Sequence, residues 1–401
     1  MSSTTLSPIE VPAAQAQSKS TTGALRLPLD PLLTLATVGL GVCSLVTLGA
    51  ATRNLVPGQP HYYVDRQAVY LAVGLVAMIV LSRLDHTRLR HLKWGIYGAL
   101  MLSIFAVLAV GHSANGAQRA INFPFFSFQA SELGKVLLIL ALSAHVVDRR
   151  GRHGLGATAR VMALALVPAL FVIMQPDLGS GMVYAVIAFV VLLIAGAPWR
   201  HLAGLVSLAA LATVVLLFAA PAVGVHVLKP FQMERLTAFL HPSNNPQKKG
   251  GYQLLESKIA IGSGQKTGRG VNATQTRLNF VPEDHTDFIF AAVGEQYGFV
   301  GAALVLSLYA LLIWRALRVL AMARDGYGSL VAAGVVAMLM FQVFVNVGMS
   351  VGIMPITGVT LPLMSYGGSS VMTTLLAVGL LQSIYFQAHG ADSLKGPTFR
   401  Y

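Results

Sequence analysis

From residue 31 to residue 387 the chain is a succession of apolar runs, most of them close to the length that crosses a bilayer as a helix, about 20 residues. Few folds survive that constraint. A backbone surrounded by lipid must satisfy its own hydrogen bonds, so it spans either as helices or as a closed barrel. Runs this continuous, with no polar alternation, are helical. Composition agrees: 55% of the 401 residues are hydrophobic and only 11% are charged, too little charge to cover a water-soluble fold of this size. The chain reads as an all-α polytopic membrane protein.

Ten spans are predicted, at 31–51, 68–82, 94–111, 131–147, 160–174, 178–196, 203–224, 288–314, 328–350 and 368–387. Only Gln175, Pro176 and Asp177 separate the fifth from the sixth, which makes them a tight hairpin. Residues 1–29 are rich in Ser, Thr, Ala and Pro without an apolar period. They read as a disordered tail with no signal peptide. Residues 30–388 form the transmembrane domain, and 389–401 a second tail.

Lys and Arg exceed Asp and Glu by 28 − 15 = 13. In a soluble domain that excess would suggest nucleic acid. In a polytopic chain it marks the cytoplasmic loops instead, and no nucleic-acid partner is expected. With the N-terminus inside, the inner loops hold Arg83, Arg88, Arg90, Lys93, Arg149, Arg150, Arg152, Arg160, Arg200, Arg315, Arg318 and Arg324. The short outer loops hold only Arg53, Arg66 and Arg119. Both termini are therefore expected in the cytoplasm. The single cysteine, Cys43, lies within the first run, which excludes a disulfide framework and a cysteine metal site. No His-x-x-x-His zinc spacing and no phosphate-binding loop of the Gly-x-x-x-x-Gly-Lys-Ser/Thr type is present. The two halves show no repeat, which weakens an inverted-repeat transporter reading.

Between the seventh and eighth spans lies an outer loop, 225–287, too long to be a mere connection. It carries Lys229, Arg235, Lys248, Lys249, Lys258, Lys266, Arg269 and Arg277, together with a glycine-rich stretch from Ile261 to Gly270. Cations near backbone N–H groups freed by glycines suit a phosphate-bearing ligand.

Charges inside spans are functional candidates by default. Glu132 and Lys135 share a helix face. They read either as a mutually neutralising pair or as the lining of a polar cavity. Glu295 and Asn346 read as packing or interhelical bonding groups at least as readily as ligands. The densest cluster joins the long loop to the eighth span: Glu283, Asp284, His285 and Asp287. One reading is a helix N-terminus capped by Thr286 or Asp287. The other is an active site, in which an Asp flanked by cations stays ionised and accepts a proton from an attacking hydroxyl.

Several motifs in this order resemble the SEDS family of bacterial cell-wall polymerases, which includes RodA, FtsW and SpoVE. They are Gly116-Ala-Gln-Arg119; Phe128-Gln129 with Ser131, Glu132 and Lys135; Gln175 to Gly179; Tyr252-Gln253; Ser257 to Gly264; Gln275; Pro282-Glu283; His285 to Phe290 with Glu295 and Gly298; Gly352 to Pro355; and Leu361 to Ser369. The resemblance covers roughly residues 31–388. The stretch Ser257–Gly264 favours the RodA (elongation) type over an FtsW-type division or a sporulation polymerase. The chain departs from the family pattern at Ala120, Ala130 and Ala273.

The resemblance implies a peptidoglycan glycosyltransferase that polymerises lipid II at the outer face of the bacterial cytoplasmic membrane, in contact with membrane lipid. A class B penicillin-binding protein would be its transpeptidase partner. Asp287 matches the family's essential aspartate and would be the catalytic base. Arg66, Arg119, Lys135, Lys258 and Arg269 are candidates for the leaving diphosphate, with Glu132, Gln129, Glu283, His285 and Ser365 as further substrate contacts. A divalent cation, Mg2+ or Mn2+, would be compatible with the carboxylates, though no ligand spacing demands a metal. A lipid II flippase and a pure scaffold are the rival readings.

Overall fold

The computed structural model describes residues 29–53, 55–114, 117–123, 126–149, 154–215, 249–278 and 280–390, with single residues at 233 and 239; for 112–114, 117–119, 249–250, 271, 277 and 390 it describes the backbone alone. Most of both predicted tails, the second half of the seventh predicted span, Arg150, Arg152, Lys229, Arg235 and Lys248 lie outside the described residues.

Helices cover nearly everything described: α1 Pro31–Ala51, α2 Tyr62–Arg83, α3 Lys93–Val110, α4 Ala130–Val147, α5 Leu155–Met174, α6 Leu178–Ile194, α7 Trp199–Val214, α8 Lys249–Gly264, α9 Ile289–Met322, α10 Gly326–Val351 and α11 Gly368–Gly390. Among the described residues eight are long and apolar enough to span a membrane, while α6 and α7 are shorter apolar helices at the sixth and seventh predicted positions. The hairpin at Gln175–Asp177 is as tight as its sequence implies, since α5 ends at Met174 and α6 begins at Leu178.

Caps and breakers set these boundaries. The Asp30 carboxylate accepts the N–H groups of Leu32 and Leu33, and Pro31 follows where no N–H is needed. Asp177 and Asp325 cap α6 and α10 in the same way. α4, α10 and α11 are mostly buried and form the centre of the bundle, whereas α2 and α3 present most of their surface outward. Around that centre α2 packs on α11, α3 on α4, α5 on α6, and α1, α8 and α10 on α9.

All spans alternate in direction, so their ends sort into two layers. One layer gathers the basic connections: Arg90 and Lys93 pair with Asp148, Arg315 with Asp30, and His86 with Asp325. The other holds the N-termini of α2, α4, α6, α9 and α11, and hence the candidate site.

Two features depart from the sequence reading. A small antiparallel ribbon, β1 His112–Ala114, β2 Ala117–Asn122 and β3 Ser127–Phe128, joins α3 to α4. The long connection after α7 contains α8, whose Leu254 and Ala260 are buried in a satellite core with Val281, Phe288, Ala291 and Met349.

Candidate active site

Asp287 lies in a non-helical turn, residues 282–288, immediately before α9. Phe288, rather than Thr286 or Asp287, holds the cap position of α9, and its own side chain makes no capping bond. The turn is braced from several sides. Glu283 adopts a left-handed backbone (φ 58), rare for a non-glycine residue, and its carbonyl accepts the N–H groups of Thr286 and Phe288. Asn346 on α10 donates through Nδ2 to the carbonyl of Asp287 at 2.8 Å and to that of Val359 at 2.7 Å. The Ser365 hydroxyl donates to the Thr286 carbonyl at 2.6 Å and accepts from the Leu361 N–H, while the Tyr366 N–H donates to the His285 carbonyl.

Charges within the cluster divide by burial. Glu283 is exposed and accepts a hydrogen bond from the Thr286 hydroxyl at 3.0 Å. Asp284 is fully buried, and one of its oxygens has no partner among the described residues. Burial pushes its carboxyl above the usual range, only partly offset by the His285 ring 3.2 Å away. Asp287 is only partly buried, on a turn whose backbone is fixed.

His285 carries the turn onto α2. Its ring packs on Tyr63 (centroids 4.9 Å apart) and on Tyr366 (6.0 Å). On the same end of α2, Arg66 lies over the Tyr62 ring at 4.4 Å, and both line an open cavity of about 540 Å3 with His61, Asp65 and Tyr70. Buried Gln67 donates to Ser44 Oγ and to the Ser365 carbonyl, so α1, α2 and the 361–367 segment are tied together beneath that cavity.

The remaining predicted site residues occupy distinct positions. Glu132 and Lys135 form a 2.6 Å ion pair in the first turns of α4, 4% and 1% exposed. They are sealed within the bundle. Gln129 donates to Asp177 at 3.2 Å, which ties the start of α4 to the α5–α6 turn. Arg119 is in β2, and its side chain lies outside the described residues. Lys258, exposed on α8, lies against Gly352 at the C-terminal cap of α10, where a cation complements the helix dipole. Arg269 turns back to donate to the Ser263 carbonyl at 3.1 Å, on its own loop. Ser365, expected to touch substrate, spends its hydroxyl on the turn itself.

The glycine-rich stretch also differs from expectation. Ile261–Gly264 ends α8, and the following loop docks on α9, where Gly298 (φ 62, ψ −157) interrupts the helix. The N–H groups of Phe299 and Val300, freed by that break, donate to the carbonyls of Gln265 and Lys266, while the Arg269 N–H donates to the Glu295 carbonyl. Gly268 leaves no space for a Cβ against the Gln296–Tyr297 backbone. Gly264 and Gly268 serve close backbone packing, whereas a side chain at Gly262 or Gly270 would meet nothing within 4 Å. Buried Glu295 accepts the N–H groups of Gln275 and Thr276 at 2.8 Å each, the packing role that sequence allowed.

Among the described residues no group of three or more His, Cys, Asp or Glu is placed to hold a metal ion. Asn346 and Gln67, the residues that fix the turn and the floor of the cavity, carry no charge, and sequence did not point to them as site residues; Asn346 was legible only as an interhelical bond.

Comparison with known proteins agrees with the motifs. The Cell cycle protein family of FtsW, RodA and SpoVE matches residues 29–389. A probable peptidoglycan glycosyltransferase FtsW from Thioalkalivibrio sulfidiphilus is 36% identical, covering 93% of this chain and 92% of that one. Peptidoglycan glycosyltransferase MrdB from Escherichia coli is 34% identical over 90% and 94%. Relatives of both kinds stand at similar identity, so they do not separate an elongation from a division branch. Among solved structures, the RodA of Thermus thermophilus matches with TM-score 0.66 and 31% identity, covering 90% of this chain and 98% of that one. A chain from a structure described as a peptidoglycan synthase complex coordinating polymerization and crosslinking matches with TM-score 0.76 and 34% identity over the same shares. The chain belongs to the FtsW/RodA/SpoVE (SEDS) family of polytopic membrane proteins.

Proposed function

We propose that this chain is a peptidoglycan glycosyltransferase of the bacterial cytoplasmic membrane, polymerising lipid II at the outer face, with both termini in the cytoplasm. The layer of basic loops supports that orientation. One observation carries the chemistry: Asp287 is a partly accessible acid on a turn held by Asn346 and Ser365, and that turn packs through His285 beside the Arg66 cavity. Asp287 accepts the proton of the acceptor sugar hydroxyl as that oxygen attacks the anomeric carbon of the growing chain. The bond from that carbon to the lipid diphosphate breaks, and the diphosphate leaves with the electron pair. Arg66, which lines that cavity, is the foremost cation for its charge. No step is routed through a divalent cation.

The relative from a complex that couples polymerization to crosslinking supports a class B penicillin-binding protein as partner. The test is polymerisation of purified lipid II by wild type and Asp287→Asn, with no other glycosyltransferase present. Loss of the base is expected to lower the rate by about two to four orders of magnitude. Wild-type polymerisation by the variant removes Asp287 from the mechanism. Lipid II transfer across liposomes without any glycan product would favour the flippase reading instead.

A further inference from the structure

At the layer remote from the Asp287 turn, α4, α5, α6 and α10 enclose a cavity of about 130 Å3. Its walls are largely aliphatic, and its polar groups are His145, Arg149, Thr158 and Ser329. His145 follows Glu132 by thirteen positions on α4, about 20 Å along the axis, so this cavity is no part of the site above. His145 is 5% exposed, and its Nε2 is buried with no hydrogen-bond partner among the described residues. A buried ring nitrogen in that state carries a free-energy cost that a ligand accepting or donating the missing bond removes. Thr158 Oγ1 meets His201 Nδ1 at 3.0 Å, which places a second imidazole behind the wall.

The sign of the site follows from its surroundings. The C-termini of α4 and α6 and the N-termini of α5 and α10 meet here, so their dipoles offset one another and side-chain charge decides. Nearby carboxylates are engaged: Asp148 with Arg90 and Lys93, Asp325 with His86. Among the described residues no carboxylate pairs with Arg149. The cavity is cationic. Its volume is below the roughly 300–1,000 Å3 of pockets that enclose whole small molecules, so it admits one compact group. Aliphatic walls suit a chain attached to that group, and basic pockets between membrane helices hold phosphate headgroups in this manner.

We infer that this cavity binds a phosphate group, presented by an anionic phospholipid or as the free ion. Arg149 supplies the charged hydrogen bonds and His145 Nε2–H the buried one.

The test is a titration of the purified full-length protein in neutral detergent, read by the thermal unfolding midpoint. Three probes are used: short-chain phosphatidylglycerol, the diacylglycerol of the same chains, and inorganic phosphate. A saturable rise with phosphatidylglycerol but not with diacylglycerol is expected, weakened at least about tenfold in apparent affinity by Arg149→Gln. Arg149 is half-buried at the mouth, so that variant leaves the core packing intact, and His145→Gln is the companion for the buried bond. A rise with inorganic phosphate alone assigns the site to the free ion; a rise with the lipid alone assigns it to the headgroup. No saturable rise with either, an equal rise with diacylglycerol, or a rise that neither variant weakens overturns the inference.

Discussion

Asp284 and the Glu132–Lys135 pair show two ways of burying charge beside one site, and each has a measurable consequence. Asp284 is pushed above the ordinary carboxylate range by burial, so the folded chain holds its proton to higher pH than the unfolded chain does. Between those two values the folded state binds more protons, and stability falls as pH rises through the window. Thermal unfolding of wild type across that window is therefore expected to show a decline that Asp284→Asn, which cannot ionise, lacks; parallel profiles would contradict the assignment. Glu132 and Lys135 instead neutralise each other in a 2.6 Å contact. Removing one partner strands the other, so Lys135→Met is expected to cost about 3–5 kcal/mol, and Glu132→Gln added to it to recover much of the loss. Unfolding midpoints of the single and double variants measure this. A pair that faced an open water-filled cavity would show no such coupling.

At the scale of elements, α9 is the unusual piece. Its 34 residues are continuous except at Gly298, whose φ of 62 and ψ of −157 belong to a region open essentially to glycine. Gly298→Ala is expected to cost about 1–3 kcal/mol through backbone strain alone, and to loosen the 264–270 loop. Hydrogen exchange at the Phe299, Val300 and Arg269 amides reads the effect, and unchanged protection would refute it. Sequence made the spans legible because lipid selects continuous apolar runs; it also gave the α5–α6 turn. It missed the first turns of α2, where Tyr62, Tyr63, Arg66 and Gln67 lower the hydropathy because they face the site. It missed the ribbon, whose strands are too short for a period to register. Of the glycines of 261–270, Gly264 and Gly268 pack on another backbone, which sequence did not foretell for a physical reason: a residue without a side chain admits either a ligand or a second backbone. Asp287 stood out through its motif, yet the groups that hold it, Asn346 and Ser365, are uncharged and come from distant segments.

Across the whole molecule, the two layers of helix ends divide the labour. The layer of ion-paired basic loops sets the proposed orientation, and the layer of braced turns holds the proposed chemistry. Because Cys43 is the sole cysteine, a Cys43→Ser background makes the orientation testable. Pro57→Cys is expected to react with an impermeant maleimide supplied at the outer face of the cytoplasmic membrane, and Arg88→Cys only after that membrane is opened; the reverse pattern would invert the topology. The interrupted α9 carries one more implication, for biogenesis. The carbonyls that quiet the amides after Gly298 come from residues translated some thirty positions earlier. Before that segment folds back, an uninterrupted helix can return the same amides to the carbonyls of Glu295 and Gln296, so the break at Gly298 is a consequence of the loop docking on α9.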